Sequence, residues 1–120
     1  MELNIDCIRA VLLTAEKKCC PPAHLPWTYI MNEEDSSYLK PFSHNEIAYH
    51  INQCKMSGFF VGTSCYDAGK CYIINDLSPS GHEFLSGLKD ESILTKIKSI
   101  GIASLPLLAD CVKDWLLAKI

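Results

Sequence analysis

Histidine side chains are the groups in this 120-residue sequence best suited to proton transfer. His50 lies beside the apolar face of a predicted helix, and His82 follows Gly81 at the start of another. A general base needs a carboxylate or a nucleophile within hydrogen-bond reach, yet the near candidate for His82 is Glu83, whose side chain points elsewhere on a helix. No Ser/His/Asp or Cys/His pattern, glycine-rich phosphate loop or paired-carboxylate motif is present. We therefore expect both rings to satisfy backbone groups, and we predict neither an enzyme active site nor a cofactor.

Cysteine chemistry is a second possibility, since the sequence contains seven cysteines. Their odd number and the lack of a secretion signal favour free thiols in a reducing compartment. Cys19-Cys20 followed by His24 comes nearest to a metal cluster, but adjacent cysteines do not match zinc-ligand spacings, so we predict no metal site. Cys65 and Cys71 flank a predicted hairpin turn, and we expect them to face each other, either as packed side chains or as a disulfide.

Hydrogen bonding to DNA is a third possibility, and a predicted helix beginning at Ser43 carries it. Ser43 and Glu46 form the capping-box pattern, and Gly58 ends the helix after Met56 or Ser57. The side chains that we predict to contact DNA are Asn45, Tyr49, Asn52, Gln53 and Lys55 on this helix, and Lys70 in the following hairpin turn. Amide side chains can hydrogen-bond adenine edges in a major groove, and lysines can hold phosphates.

The overall charge restricts such a role. The sequence has 11 Lys and Arg against 14 Asp and Glu, a formal net charge of −3. Nucleic-acid binders usually carry a basic footprint. The absence of an overall excess of positive charge therefore argues against DNA binding, although a local basic patch on an acidic surface can suffice.

Hydropathy indicates one domain without a membrane segment. Apolar residues make up 48% of the chain, enough for one core. The apolar run Ile102–Ala109 is far shorter than the roughly 20 residues that cross a bilayer. The start, Met1–Asp6, is acidic where a signal peptide is basic. We expect a cytoplasmic protein.

Periodicity and capping residues predict the elements that position these side chains. The predicted elements are a helix over Asn4–Lys18, a linker over Cys19–Pro26, a strand over Trp27–Met31, a helix from Ser43, a hairpin of Phe59–Val61 and Cys71–Ile74 around Asp67–Lys70, a helix over Pro79–Lys89, a helix that begins at Asp90 or Ser92 and ends before Gly101, and a last helix from Ser104. A helix that ends at a glycine and leads into a strand and a hairpin is typical of the way a winged helix joins its recognition helix to its wing.

The last helix is apolar over more than one face. Its predicted core face consists of Leu105, Leu108, Val112, Trp115 and Leu116. The apolar surface extends around the side, which favours either deep burial under a neighbouring helix or contact with a second copy. The residues that we predict at a homodimer interface are Leu107, Cys111, Trp115 and Ala118.

Two stretches of the chain resemble known winged helices. Asn45–Ile51 through Gly58–Val61 resembles the helix, glycine and apolar-strand signature of bacterial winged-helix regulators, and Leu77–Leu85 is similar to the helix start that follows the wing in that class. With Met1–Leu13 and Lys96–Trp115, the whole chain is similar to short uncharacterised proteins of bacteria and prophages, such as the YjcQ-like proteins.

The resemblance implies an α+β winged-helix fold with a small antiparallel sheet as wing and additional C-terminal helices. The predicted single domain spans 1–120, with a core over about 1–88 and a helical extension over about 90–120. The sequence departs from the helix-turn-helix pattern in one respect: the positioning helix is reduced or replaced by the strand near Tyr29. This departure argues against standard major-groove docking.

Two functional hypotheses follow. The first is a dimeric winged-helix regulator of transcription that binds double-stranded DNA. The second is a winged-helix module that binds another protein and touches no nucleic acid. The usual role of the fold favours the first, and the acidic balance favours the second.

Overall fold

The computed structural model describes residues 1–18, 25–28, 38–66, 71–101 and 104–118. The elements in these ranges are α1 (Ile5–Lys18), β1 (Leu25–Thr28), α2 (His44–Met56), β2 (Phe60–Val61), β3 (Ser64–Tyr66), β4 (Cys71–Ile74), β5 (Asp76–Leu77), α3 (Pro79–Lys89), α4 (Glu91–Ile100) and α5 (Leu105–Ala118). The protein is thus α+β and mainly helical, as predicted at that level.

Local capping explains why the helices begin and end where the sequence predicts. The side chains of Ser43 and Ser78 accept hydrogen bonds from the first turns of α2 and α3, and Asp90 does the same for α4. Gly58 and Gly101 follow α2 and α4 with φ of 79° and 78°, a region that favours glycine. These ends require no tertiary contact, so they are readable from sequence.

The strands that follow α2 form a single hairpin whose ladder of paired residues is interrupted once. β2 pairs with β5 and β3 pairs with β4, and the partners advance in step from Phe60 opposite Leu77 to Tyr66 opposite Cys71. At the interruption, Gly62 has φ of 66°, and a Cβ there would overlap the side chain of Asn75. The predicted turn Asp67–Lys70 lies outside the described residues.

The cysteines of the hairpin do not face each other, so that prediction is wrong. The antiparallel register places Cys65 opposite Tyr72 and Cys71 opposite Tyr66. Neighbouring strand positions alternate between the two faces of a sheet, so a one-residue offset separates the two cysteine positions.

The first strand begins earlier than predicted. Leu25 and Pro26, assigned to a linker, belong to β1, where they lie opposite Ile74 and Ile73. The order β1-β4-β3 makes β1 an edge strand, which tolerates a proline because one row of its backbone groups needs no partner. The rest of the predicted strand, Tyr29–Met31, lies outside the described residues.

A single hydrophobic core joins all five helices that the described ranges contain. The fully buried side chains include Ile8 and Leu12 of α1, Ile51 of α2, Phe84 and Leu85 of α3, Ile93 and Ile97 of α4, and Leu105 and Val112 of α5. The rings of Phe59 and Phe84 stack with centroids 4.8 Å apart. The hairpin base is thereby packed onto α3.

Candidate nucleic-acid interface

Helix α2 is fixed at its first turn by a capping box. The Oγ of Ser43 accepts the backbone N–H of Glu46 at 3.2 Å, and Oε1 of Glu46 accepts the backbone N–H of Ser43 at 3.3 Å. This confirms the predicted helix start. It also keeps the Glu46 carboxylate beside the helix N-terminus, where the macrodipole stabilises negative charge.

The buried face of α2 rests on α1. It consists of Ile47, His50, Ile51 and Cys54, each no more than 3% exposed. Cys7 of α1 is also fully buried, and its thiol points to the carbonyl oxygen of Glu46 at 3.9 Å. Burial raises the pKa of the Cys7 thiol to about 12 and raises that of Cys54 as well. Both thiols therefore stay protonated at neutral pH and are poor nucleophiles.

His50 joins two backbone groups inside this contact. Its Nδ1 lies 2.7 Å from the carbonyl oxygen of Glu46, and its Nε2 accepts the backbone N–H of Asn4 at 2.9 Å. A carbonyl only accepts, so Nδ1 carries the proton and the ring is neutral. Burial lowers the pKa of His50, against the smaller opposing effects of the hydrogen bond and charge of Glu46. His50 therefore bonds backbone groups, as predicted from the sequence.

His82 behaves differently from the expectation. It is exposed on α3, and its ring bonds no backbone group among the described residues. The first turn of α3 is satisfied instead by Ser78, whose Oγ accepts the N–H of Gly81 at 3.0 Å.

The solvent face of α2 lies opposite the buried face and forms what we call the outer stripe, made of Asn45, Tyr49, Asn52 and Met56. These positions follow the i, i+4, i+7, i+11 spacing of a single helix face. Asn45 and Met56 are exposed, and Tyr49 and Asn52 are half-buried. The structure thus brings three of the predicted DNA-contacting residues together.

Two further predicted residues flank the outer stripe. Gln53 is half-buried on one side and Lys55 is exposed on the other. Lys40, also exposed, precedes the helix. Lys70, the predicted hairpin contact, lies outside the described residues. The described surface around α2 therefore offers amides, a hydroxyl, two lysine charges and the half-buried carboxylate of Glu46.

The hairpin base is clamped to the start of α3. Ser78 donates its hydroxyl to the carbonyl oxygen of Gly58 at 2.5 Å, and its backbone N–H to that of Phe59 at 2.8 Å. Ser80 Oγ lies 3.1 Å from the Gly58 oxygen. A Cβ on Gly81 would overlap the Phe59 carbonyl, so glycine allows the close approach. This clamp fixes the end of α2 relative to the hairpin, and the Ser-Pro-Ser-Gly sequence is the signal for it.

Helix α5 presents a second surface. Leu107, Cys111 and Ala118 are exposed and share one side of the helix, which we call the α5 stripe; Leu107 is 64% exposed. Trp115, the fourth predicted interface residue, is half-buried with the ammonium of Lys96 5.5 Å from its ring centroid. Three of the four residues are thus accessible, and the fourth mainly joins α5 to α4.

An open groove of about 720 Å³ lies beside the N-terminus and was not anticipated from sequence. Residues 1–6, Glu46 and the end of α4 line it. Its charges include Asp6 and Lys98, which pair at 3.2 Å across the groove. Glu2 and Glu46 also line the groove, so its lining carries more carboxylates than lysine side chains.

Neither a metal-binding cluster nor a membrane-spanning helix occurs in the described ranges. The described residues contain no group of three or more His, Cys, Asp or Glu side chains able to hold a metal ion. Cys19, Cys20 and His24 lie outside them. In the described ranges, every helix is too short or too polar to cross a membrane.

The fold and these surfaces define a small, mainly helical α+β protein with one polar and one apolar exposed helix stripe. The chain belongs to the family described as "Hypothetical protein (DUF2513)", whose model matches residues 2–103. The prediction of an uncharacterised family is confirmed at this level. The match includes α1 to α4 and stops before α5. Neither a curated protein nor a solved structure shows significant similarity to the chain.

Proposed function

We propose that this protein is a winged-helix DNA-binding regulator of transcription, with a binding rather than a catalytic role. Helix α2 is the recognition helix, and the hairpin of β2 to β5 is the wing. The support is the order of elements and the three-stranded antiparallel arrangement β1-β4-β3, in which the first strand flanks the returning arm of the hairpin.

The observation that carries the proposal is the outer stripe. Recognition helices contact base edges through solvent-facing side chains near their N-terminal end. Asn45 lies in the first turn of α2, and Tyr49 and Asn52 follow it along the same face of the helix, which directly precedes the hairpin. Amides and hydroxyls both donate and accept hydrogen bonds, as base edges require.

Lysines at the edges of this surface supply the phosphate contacts. Lys40 and Lys55 are exposed beside α2, and Lys70 belongs to the hairpin turn by sequence. Three phosphate contacts per protomer predict that affinity falls roughly 40-fold between about 50 and 200 mM salt for a monomer, and roughly 2,000-fold for a dimer with six contacts. The formal net charge of −3 keeps nonspecific binding weak.

The test measures binding of the purified protein to mixed genomic DNA fragments at both salt concentrations. The variants Lys55→Glu and Lys70→Glu are expected to abolish binding. Lys113→Glu is the matched control, because Lys113 is an exposed lysine on α5. Absence of binding at both salt concentrations refutes the proposal, and so does a loss of affinity in Lys113→Glu equal to that in the two test variants.

A homodimer formed through the α5 stripe completes the regulator. Cys111 and Ala118 are small, so a second helix can approach closely, and Leu107 gains burial. Leu107→Glu is expected to convert dimers to monomers in sedimentation velocity. Leu117→Glu is the control, since Leu117 is similarly exposed, at 60%, but lies off the stripe. A monomeric wild type contradicts the dimer and leaves DNA binding to its own test.

The second candidate is a module that binds another protein. Exposed apolar side chains on α5 and the low number of lysines around α2 favour it. DNA binding distinguishes the two candidates: the regulator binds DNA at low salt, whereas the protein-binding module keeps its fold but binds no DNA at either salt concentration.

A further inference from the structure

The polar side chains around the outer stripe include three primary amides. Asn45, Asn52 and Gln53 each carry one. Arg9 is the sole arginine of the 120 residues, and it is used elsewhere. Its Nε donates to the carbonyl oxygen of Leu88 at 3.4 Å, which ties α1 to α3. The candidate interface therefore contains amide groups, lysines at its edges that we assign to phosphate contacts, and no guanidinium group.

This composition has a consequence for base recognition. Guanine presents two acceptors, N7 and O6, in the major groove, and arginine or lysine pairs with both. Adenine presents an acceptor, N7, beside a donor, the 6-amino group. A primary amide offers one donor and one acceptor side by side, so asparagine or glutamine matches adenine through two hydrogen bonds.

The spacing of the amides allows more than one such contact. Asn45 and Asn52 are seven positions apart on one face, which is about 10 Å along an α-helix. That distance corresponds to about three base-pair steps of DNA. The two amides are thus placed to read different base pairs.

We infer that the outer stripe selects DNA sites containing A·T pairs by reading adenine in the major groove. The inference rests on the proposed function. The other common route to A·T preference inserts arginine, lysine or histidine into a narrow minor groove; the one arginine of the sequence, Arg9, is instead bonded to Leu88 of α3.

Three duplexes of equal length and charge test the inference: alternating A·T, alternating G·C and alternating inosine·cytosine. Inosine lacks the 2-amino group of guanine, so an inosine·cytosine pair resembles A·T in the minor groove and G·C in the major groove. Fluorescence anisotropy at about 50 mM salt gives the three affinities. We expect the A·T duplex to bind roughly tenfold more tightly than both others, as for one well-made pair of hydrogen bonds.

Variants identify the side chains responsible. Asn45→Ala and Asn52→Ala are expected to reduce the A·T preference while keeping the weaker affinity for G·C, because neither residue belongs to the buried face of α2. Lys55→Ala is the control and is expected to weaken all three duplexes equally, as for a phosphate contact. Circular dichroism of each variant checks that the fold is kept.

Each outcome has a separate meaning. Equal affinity for A·T and inosine·cytosine, both above G·C, indicates minor-groove reading and overturns the inference. Equal affinity for all three duplexes also overturns it and leaves DNA binding in place. No binding to any duplex refutes the proposed function itself and the inference with it.

Discussion

Replacing His50 with leucine tests how strongly hydrogen bonds hold α2 to the N-terminal segment. Leucine is apolar and of similar size, so it keeps most of the packing of a side chain that is 0% exposed. It removes two hydrogen bonds, at 2.7 and 2.9 Å. The bond to Glu46 contributes about 1 kcal/mol net, and loss of the other leaves the partly buried N–H of Asn4 without its partner, at a cost of about 1–3 kcal/mol. The Glu46 oxygen keeps its α-helical hydrogen bond.

The expected loss for His50→Leu is about 2–4 kcal/mol in the free energy of unfolding, a large part of the stability of a small domain. Urea denaturation followed by circular dichroism measures it from the midpoint and slope. His82→Leu is the matched control, because His82 is exposed, and we expect a change within about 0.5 kcal/mol. A loss below 1 kcal/mol for His50→Leu would refute the hydrogen-bonding argument.

The same residue gives a pH dependence with a defined sign. Burial lowers the pKa of His50 below its model-peptide value of 6.5, so below that pH the unfolded chain binds more protons than the folded one. Stability is therefore fully present above pH 6.5 and falls as the pH drops below it, with a limiting slope of about 1.4 kcal/mol per pH unit. Protonation also turns Nε2 into a donor facing the N–H of Asn4. Equal slopes for wild type and His50→Leu below pH 6.5 would contradict this assignment.

Three substitutions test the packing and capping that support the candidate interface. Gly87→Ala places a Cβ into the side chain of Val112, so we expect a loss of about 1–3 kcal/mol in urea denaturation that Val112→Ala partly restores. Gly81→Ala pushes α3 away from the Phe59 carbonyl, and we expect at least a similar loss because backbone cannot rotate aside; an unchanged midpoint would show that the clamp is loose. Ser43→Ala removes the cap of α2 and is expected to cost about 1 kcal/mol and to lower helicity by circular dichroism.

The parts of the fold that sequence predicts well are those fixed by neighbouring residues. The capping box of Ser43 and Glu46 lies within one turn, and Gly58 ends the helix without help from elsewhere. Pro79 at the first position of α3 is an equally local signal. The outer stripe follows from the same periodicity, and its exposed residues were therefore predictable.

The parts that sequence predicts poorly depend on distant partners. Pro26 reads as linker until β4 is known to lie beside it, since its place in β1 depends on pairing with Ile73. The Nε2 of His50 meets the N–H of Asn4 across a separation of 46 residues, which no local pattern reports. The prediction that Cys65 and Cys71 face each other is wrong for a related reason. The register is set by the whole hairpin, and an offset of a single residue places the two positions on different faces of the sheet.

The two ends of α2 explain why the outer stripe can be tested apart from the fold. The capping box holds its first turn, and Ser78 holds the Gly58 oxygen at its last. Between them, His50 anchors the buried face to the N-terminal segment. None of these contacts uses the side chain of Asn45, whereas the ring of Tyr49 packs edge-on against that of His50 with centroids 5.1 Å apart. Substitution of Asn45 is therefore expected to leave the unfolding midpoint nearly unchanged, so that any loss of DNA affinity reports on recognition alone.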